Sequence, residues 1–249
     1  MNRNIIITGA SSGIGEALAF EFAKRGYGLG LTARRLNVLK SIQKKIKEQY
    51  PNIQIEIQAL DVTDYSKIPV VLKKLTNALG SLEILVANAG MSASQAVGSG
   101  NFEGDRATIE TNLLGAIATV EAGVQIMKKG KSGQIVGISS VAGFRGIAGA
   151  ASYSASKAGL SVYLEAARND VKEFGIHITT INPGYIDTPI NQKRKVRPFV
   201  ITVEKGAAII AKQIEGRVFE VCAPVFPWVI LGTIMKILPG WVWRRIKVR

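Results

Sequence analysis

The chain has almost none of the residues that build metal centres and cross-links: among its 249 residues there is one cysteine, Cys222, and one histidine, His177. A single cysteine excludes an intrachain disulfide, and one of each cannot form a zinc-type Cys/His cluster, so no metal site is expected. The same scarcity fits a reducing compartment. Cys222 reads as a small buried apolar residue, and His177 falls in a predicted strand with no acid or serine motif beside it. Neither is a catalytic candidate. Long apolar runs are lacking too. The stretch between Pro227 and Lys236 is far shorter than the roughly 20 residues needed to cross a bilayer. The apolar residues after Asn4 are too few for a secretory signal, so a cytoplasmic location is expected. Acidic residues are scarce, 18 against 32 lysines and arginines, for a formal charge of +14. Such a surface is drawn to anionic partners. No recognised nucleic-acid module accompanies the charge, so nucleic acid is not the expected partner. No Pro/Gly/Ser-rich linker, repeat or low-complexity tract divides the chain. One domain is expected over 1–226, followed by an apolar and basic tail over 227–249.

What is present alternates. Strand-like runs at about 4–8, 28–33, 54–59, 83–87, 134–139, 177–181 and 218–222 are separated by helical patterns at about 14–25, 35–49, 66–79, 106–129, 152–174 and 202–214. This predicts an α/β fold, a Rossmann-type doubly wound sheet of seven parallel strands with helices on both faces and right-handed crossovers. The first run, Asn4-Ile5-Ile6-Ile7-Thr8, ends in Gly9-Ala10-Ser11-Ser12-Gly13-Ile14-Gly15, after which Ala17, Leu18, Phe22 and Ala23 recur at helical spacing. Glycines there allow a tight turn and close approach of a pyrophosphate, whose charge meets the helix N-terminus. Strand, glycine turn and helix together form the context a dinucleotide site requires.

A second motif carries chemistry. In Ser152-Tyr153-Ser154-Ala155-Ser156-Lys157 a phenol and an ammonium stand four positions apart and share a helix face. A free tyrosine, with a pKa of about 10, is a poor proton shuttle at neutral pH; a neighbouring cation stabilises the phenolate and makes the pair a candidate general acid/base.

The spacing Thr-Gly-x-x-x-Gly-x-Gly with Tyr-x-x-x-Lys resembles the short-chain dehydrogenase/reductase family, and further motifs follow in that family's order across roughly residues 4 to 222. The resemblance implies that Gly9, Ser11, Ser12, Gly13, Ile14 and Gly15 bind the cofactor. It places Asp61 and Val62 at the adenine, and Asn88, Ala89 and Gly90 after the fourth strand, although Ala87 replaces the first Asn of the family's Asn-Asn-Ala-Gly. Pro183, Gly184, Ile186 and Thr188 then form the rim at the nicotinamide carboxamide. The implied catalytic set is Asn112, Ser140, Tyr153 and Lys157. Ser140 lies thirteen positions before Tyr153, the family's separation, with Ser139 the adjacent near-miss. Tyr153 exchanges a proton with the substrate oxygen, Ser140 hydrogen-bonds that oxygen, Lys157 lowers the tyrosine pKa and holds the nicotinamide ribose, and Asn112 binds a water that replenishes the proton. A homodimer or homotetramer is implied as well.

Charge argues the cofactor. Enzymes that bind NAD commonly end the second strand with a carboxylate on the ribose hydroxyls, whereas a 2′-phosphate needs a cation there. This chain has Ala33-Arg34-Arg35, and no acidic residue between Glu21 and Glu48. NADP is therefore expected, with Arg34 the first candidate for the phosphate and Arg35 the second. A solvated arginine opening a helix is the plainer reading of Arg35.

The expected substrate is a hydrophobic ketone, aldehyde or alcohol, lipid-like, long-chain or steroid-like. Two alternatives stand beside it. One is a 3-oxoacyl thioester reductase, suggested by the cations Lys193, Arg194, Lys195 and Arg197, although the Asp-Gly-Gly ending common in such enzymes is missing. The other is an NADP-binding sensor or scaffold without turnover. The tail sets Trp228, Trp241 and Trp243 beside Lys236, Arg244, Arg245, Lys247 and Arg249. That mixture suits peripheral contact with an anionic membrane on its cytoplasmic face. The competing structural reading is a helix that closes the substrate pocket or packs on a second subunit.

Overall fold

The computed structural model describes residues 3–93, 95–192, 194 and 196–246. The expectations for Lys193, Lys195, Lys247 and Arg249 lie outside the described residues. Strands β1 (Asn4–Thr8), β2 (Gly28–Ala33), β3 (Ile55–Ala59), β4 (Ile84–Ala87), β5 (Gly133–Ile138), β6 (Ile176–Pro183) and β7 (Glu220–Ala223) form one sheet in the order β3-β2-β1-β4-β5-β6-β7. Every pair is parallel. The chain builds outward from β1 to β3, returns to β4 beside β1, and builds outward the other way. Ligands of such sheets bind beyond the carboxyl ends of the strands, where the order reverses.

The helices are α1 (Gly13–Lys24), α2 (Leu36–Gln49), α3 (Lys67–Leu79), α4 (Phe102–Ile109), α5 (Gly115–Met127), α6 (Ala151–Asp170), α7 (Val203–Glu215), α8 (Trp228–Ile237) and the short α9 (Gly240–Trp243). A parallel sheet covered on both faces needs apolar residues on both, which is why the first strand reads as a continuous run. Ile5 and Ile7 join a core with α1, α2 and α7, while Ile6 joins a core with α3, α5 and α6. All three are fully buried. In α2 the buried Leu39, Ile42 and Ile46 follow helical spacing, and the lysines between them face solvent.

Three elements differ from expectation. The single helix expected over 106–129 is two, α4 and α5, joined by a π turn over Glu110–Leu114. Apolar periodicity does not register one added residue in a turn. The helix expected to reach residue 174 stops at Asp170, and a 3-10 turn over Lys172–Phe174 leads to Gly175, whose φ of +64° suits a residue without Cβ. Finally, the stretch after residue 226 carries α8 and α9, which lie outside the six helical patterns expected. Trp228 is buried and forms a small apolar cluster with Val141 and Cys222, so α8 packs into the body of the domain. No helix among the described residues is long and apolar enough to cross a membrane.

Candidate active site

A cleft of about 420 Å³ opens beyond the carboxyl ends of the central strands. Gly9 and Gly13 take positive φ, +68° and +60°, and a Cβ on Gly13 would stand 3.3 Å from Thr188 Cγ2 across the cleft. The glycines therefore keep open a slot that side chains would fill. Asn88, at the end of β4, fixes the loop from beneath: its Nδ2 donates to the carbonyls of Thr8 (2.8 Å) and Gly9 (3.2 Å). Thr8 Oγ1 accepts from the amides of Asn88 and Ala89 in return. Every cofactor residue expected from the sequence lines this cleft except Gly15. Gly15 lies below it, where a Cβ would be 2.4 Å from Asn88 Nδ2 and 2.5 Å from the Gly9 carbonyl, so it lets α1 sit close on the loop.

These residues fit a dinucleotide: a side-chain-free slot, the N-terminus of α1 for phosphates, and cations at the far end of β2. Arg34 and Arg35 both line the cleft there, Arg34 reaching towards Asp61 at 3.9 Å. The plainer reading of Arg35 needs correction. Although exposed, its guanidinium turns back onto the glycine loop and donates to Ser11 Oγ (3.0 Å), Ser12 Oγ (3.3 Å) and the Ser11 carbonyl (3.3 Å). An arginine opposing the α2 macrodipole finds its gain in these acceptors.

The catalytic candidates gather where β5 and β6 end. Tyr153 and Lys157 lie on the first turns of α6, and the Lys157 ammonium is 5.8 Å from the tyrosine ring centroid. Its Nζ donates to the Ile138 carbonyl at 2.8 Å. Ser140 follows β5 in extended conformation, with its Oγ accepting from the Ala142 amide at 3.1 Å. Ser139 also lines the cleft, but its hydroxyl donates to the Lys157 carbonyl at 2.9 Å and meets Ser161.

The electrostatic balance differs from the one expected. Burial raises the Tyr153 phenol, and the opposing pulls come from a Ser140 hydrogen bond and the Arg194 charge. Burial likewise pushes Lys157 down to about 8, which weakens it as a stabiliser of phenolate. A raised phenol stays protonated at neutral pH, the form that donates in reduction. Asn112 is buried beside them. Its Oδ1 accepts from the Met91 amide and its Nδ2 donates to the Met91 carbonyl, both at 2.8 Å, and to Ser156 Oγ at 3.2 Å. The side chain thus ties the loop after β4 to α6. Neither Cys222 nor His177 lines the cleft: burial pushes the thiol up to about 11, and the imidazole stacks on Phe219 with its pKa lowered by burial.

A second, apolar pocket of about 280 Å³ adjoins the cleft, and Ser140, Tyr153 and Gly184 line both. Its far wall is the tail: Trp228, Leu231, Met235 and Leu238 of α8 and its C-cap, with Trp243 beyond. The tail thus lines a cavity on its inner side. A Cβ on Gly184 would fall 2.1 Å from Trp228 Nε1, so glycine is what admits the indole. The sequence offers a tail helix over the pocket as an alternative but does not say which of its residues line it. The signal was available in the spacing of residues 228, 231, 235 and 238, one face of a helix.

Comparison with known proteins agrees with this fold. The family model described as short chain dehydrogenase matches residues 3–197. An uncharacterised oxidoreductase of Mycobacterium tuberculosis is 34% identical over 244 residues, covering 98% of this chain and 96% of the relative. An NADP-dependent 3-hydroxy acid dehydrogenase of Schizosaccharomyces pombe is 32% identical over 194 residues, 77% of this chain and 74% of that one. Among solved structures, an alcohol dehydrogenase of the archaeon Thermococcus sibiricus complexed with 5-hydroxy-NADP shares the fold with a TM-score of 0.80 at 24% identity, covering 89% of this chain and 96% of the other.

Proposed function

The chain belongs to the short-chain dehydrogenase/reductase family of oxidoreductases, a fold that binds NAD(P), and from that premise we propose that it is an NADPH-dependent carbonyl reductase acting on a hydrophobic ketone or aldehyde, or in reverse an NADP-dependent alcohol dehydrogenase. One observation carries the reading: Ser140 and Tyr153 stand at the seam where a dinucleotide-shaped cleft meets an apolar pocket. The nicotinamide, when bound, supplies the hydride. Tyr153 gives its phenolic proton to the substrate oxygen, and Ser140 stabilises that oxygen as it gains charge. Lys157, anchored on the Ile138 carbonyl and 3.6 Å from where a Gly90 Cβ would stand, faces the ribose side of the cleft. A homodimer or homotetramer, which the family resemblance implies, belongs to the same reading. The test is NADPH oxidation against carbonyl compounds of graded chain length, with kcat/KM expected to rise until the pocket is filled. Tight NADPH binding without turnover of any carbonyl would leave the sensor or scaffold reading.

The preference for NADP rests on Arg34 and Arg35 and is supported by the name of the S. pombe relative. Arg34→Asp sets a carboxylate against the 2′-phosphate while offering acceptors to ribose hydroxyls. Loss of one charge-assisted contact, about 1.5–3 kcal/mol, should weaken NADPH by roughly 10- to 100-fold and improve relative use of NADH. Calorimetry that finds both affinities unchanged would make Arg34 a surface residue.

Peripheral contact with an anionic membrane belongs to this reading too, and the outer side of the tail supports it. A surface helix normally turns a polar face to water, but here Val229, Ile230 and Ile237 are exposed, as are Phe226 and Trp241. Cations accompany them. Lys236 lies 4.3 Å from the Phe144 ring centroid, and Arg245 lies 5.5 Å from that of Trp241. Aromatic and aliphatic groups beside lysine and arginine suit the headgroup boundary. The full chain should sediment with phosphatidylglycerol vesicles at low salt. Ile230→Asp with Ile237→Asp should reduce that binding at least tenfold and leave NADPH affinity unchanged.

A further inference from the structure

The apolar pocket has a mouth, and the side chains that border it are apolar on their outer side as well. Five residues of its lining are exposed. Ser92 and Ile190 are shared with the dinucleotide cleft, whereas Pro198, Ile234 and Ile246 border the pocket alone. The cleft, by contrast, is edged by the exposed Arg34 and Arg35. From the mouth the apolar surface continues over α8. Ile230, Ile234 and Ile237 follow at steps of four and three residues, one stripe of the helix, and are 52%, 41% and 74% exposed. Ile234 belongs to this stripe and to the pocket lining at once. The charge beside it has one sign. No Asp or Glu occurs between Asp187 and Glu204 or after Glu220, so Arg194 at the pocket and the exposed Lys236, Arg244 and Arg245 of the tail are accompanied by no acid from their own segments. An apolar stripe flanked only by cations is complementary to an anionic lipid surface.

Resting on the reductase reading and on the membrane contact argued above, we propose that the mouth of the apolar pocket opens inside the lipid contact face, so that the substrate is a bilayer-resident long-chain ketone, aldehyde or alcohol that enters without passing through water. NADPH arrives by the other door, the cleft. Size supports the division. At about 280 Å³ the pocket lies near the lower end of the roughly 300–1,000 Å³ common to ligand sites. A chain longer than the pocket has to leave through the mouth with its carbonyl at Tyr153 and Ser140. In water the projecting methylenes would forfeit the gain from burial, whereas in a bilayer they never leave hydrocarbon.

The experiment presents 2-hexadecanone at one mole fraction in vesicles of phosphatidylglycerol or of phosphatidylcholine, which hold the ketone alike but differ in charge. With NADPH at low salt, reduction is expected to be at least tenfold faster from the anionic vesicles, while the water-soluble 2-pentanone is reduced at one rate with either. Ile230→Asp with Ile237→Asp should abolish the anionic advantage and keep the 2-pentanone rate. Ile234→Trp narrows the mouth and keeps it apolar; it should slow 2-hexadecanone at least tenfold while vesicle binding and NADPH affinity persist. A readout without turnover places the mouth itself. In Trp241→Phe, phosphatidylglycerol with dibrominated acyl chains should still quench tryptophan emission, through Trp243 at the edge of the pocket. Equal rates from the two kinds of vesicle by a protein that sediments with the anionic one, an Ile234→Trp variant that reduces 2-hexadecanone as before, or no quenching in Trp241→Phe overturns the proposal. Two other failures carry different marks. Absence of turnover with both ketones, quenching intact, counts against the reductase reading, on which the proposal falls as well. A full chain that ignores anionic vesicles and whose dimer is split by the double Asp variant has this face covered by a second copy, and the membrane route is then overturned.

Discussion

Tyr153→Phe is expected to lower turnover by about 10²- to 10⁴-fold, the range for a positioned general acid, while NADPH binds as before. The substitution removes one hydroxyl and keeps the ring, so the face of α6 that carries Lys157 is undisturbed. Burial raises the phenol, so it is protonated at neutral pH, and under the proposed reading it meets the substrate oxygen beside the Ser140 hydroxyl. Single-turnover kinetics with preloaded NADPH separate binding from chemistry. Near-normal turnover would place the proton donor elsewhere, and loss of NADPH affinity would mean that the ring itself had moved.

Trp228→Ala is expected to be the most destabilising single change in the tail. The indole is 5% exposed, meets Tyr185 edge-on at 5.8 Å and Phe199 at 6.3 Å, and rests on the backbone of Gly184. Deleting a buried tryptophan side chain costs about 3–5 kcal/mol. For a domain of this size each kcal/mol is worth about 2–4 °C, so thermal unfolding should move down by at least about 6 °C. The wall of the apolar pocket goes with it, and KM for a long-chain carbonyl should rise more than KM for a short one. An unchanged melting temperature would mean that α8 does not hold this position in solution.

The parts that could be read before the structure are those written locally. The sheet, its strand count and the dinucleotide cleft follow from short-range patterns: a β-branched run, a glycine turn and a helical stripe each lie within a few dozen residues. The parts that could not be read depend on contacts distant in sequence. Asn112 could be located, but its amide is claimed by Met91, twenty-one positions away, and only the folded loop reveals that. The π turn that holds it leaves no trace in periodicity. Arg35 was legible as a cation but not as one that bends back over Ser11. The pull of Lys157 on Tyr153 was argued from a helix face alone, and burial of both groups, a property of the whole domain, changed the balance. The tail was legible as apolar and basic. Which of its faces met protein could be decided only by Gly184, whose missing Cβ makes room for Trp228.

The two cavities are made by different stretches of chain. Everything that lines the dinucleotide cleft precedes residue 192, whereas much of the apolar wall opposite Tyr153 and Ser140 comes from residues 228–246. Under the proposed function, recognition of the reductant and recognition of the compound reduced can therefore vary independently. Exchanging side chains at positions 231, 234, 235 and 238 alters the shape and greasiness of one cavity without touching the glycine loop, Tyr153 or a single strand of the sheet. A duplicated copy of such a gene could explore new compounds at little risk to its chemistry, since the step that makes and breaks bonds is held on one side of Gly184 and the choice of molecule on the other.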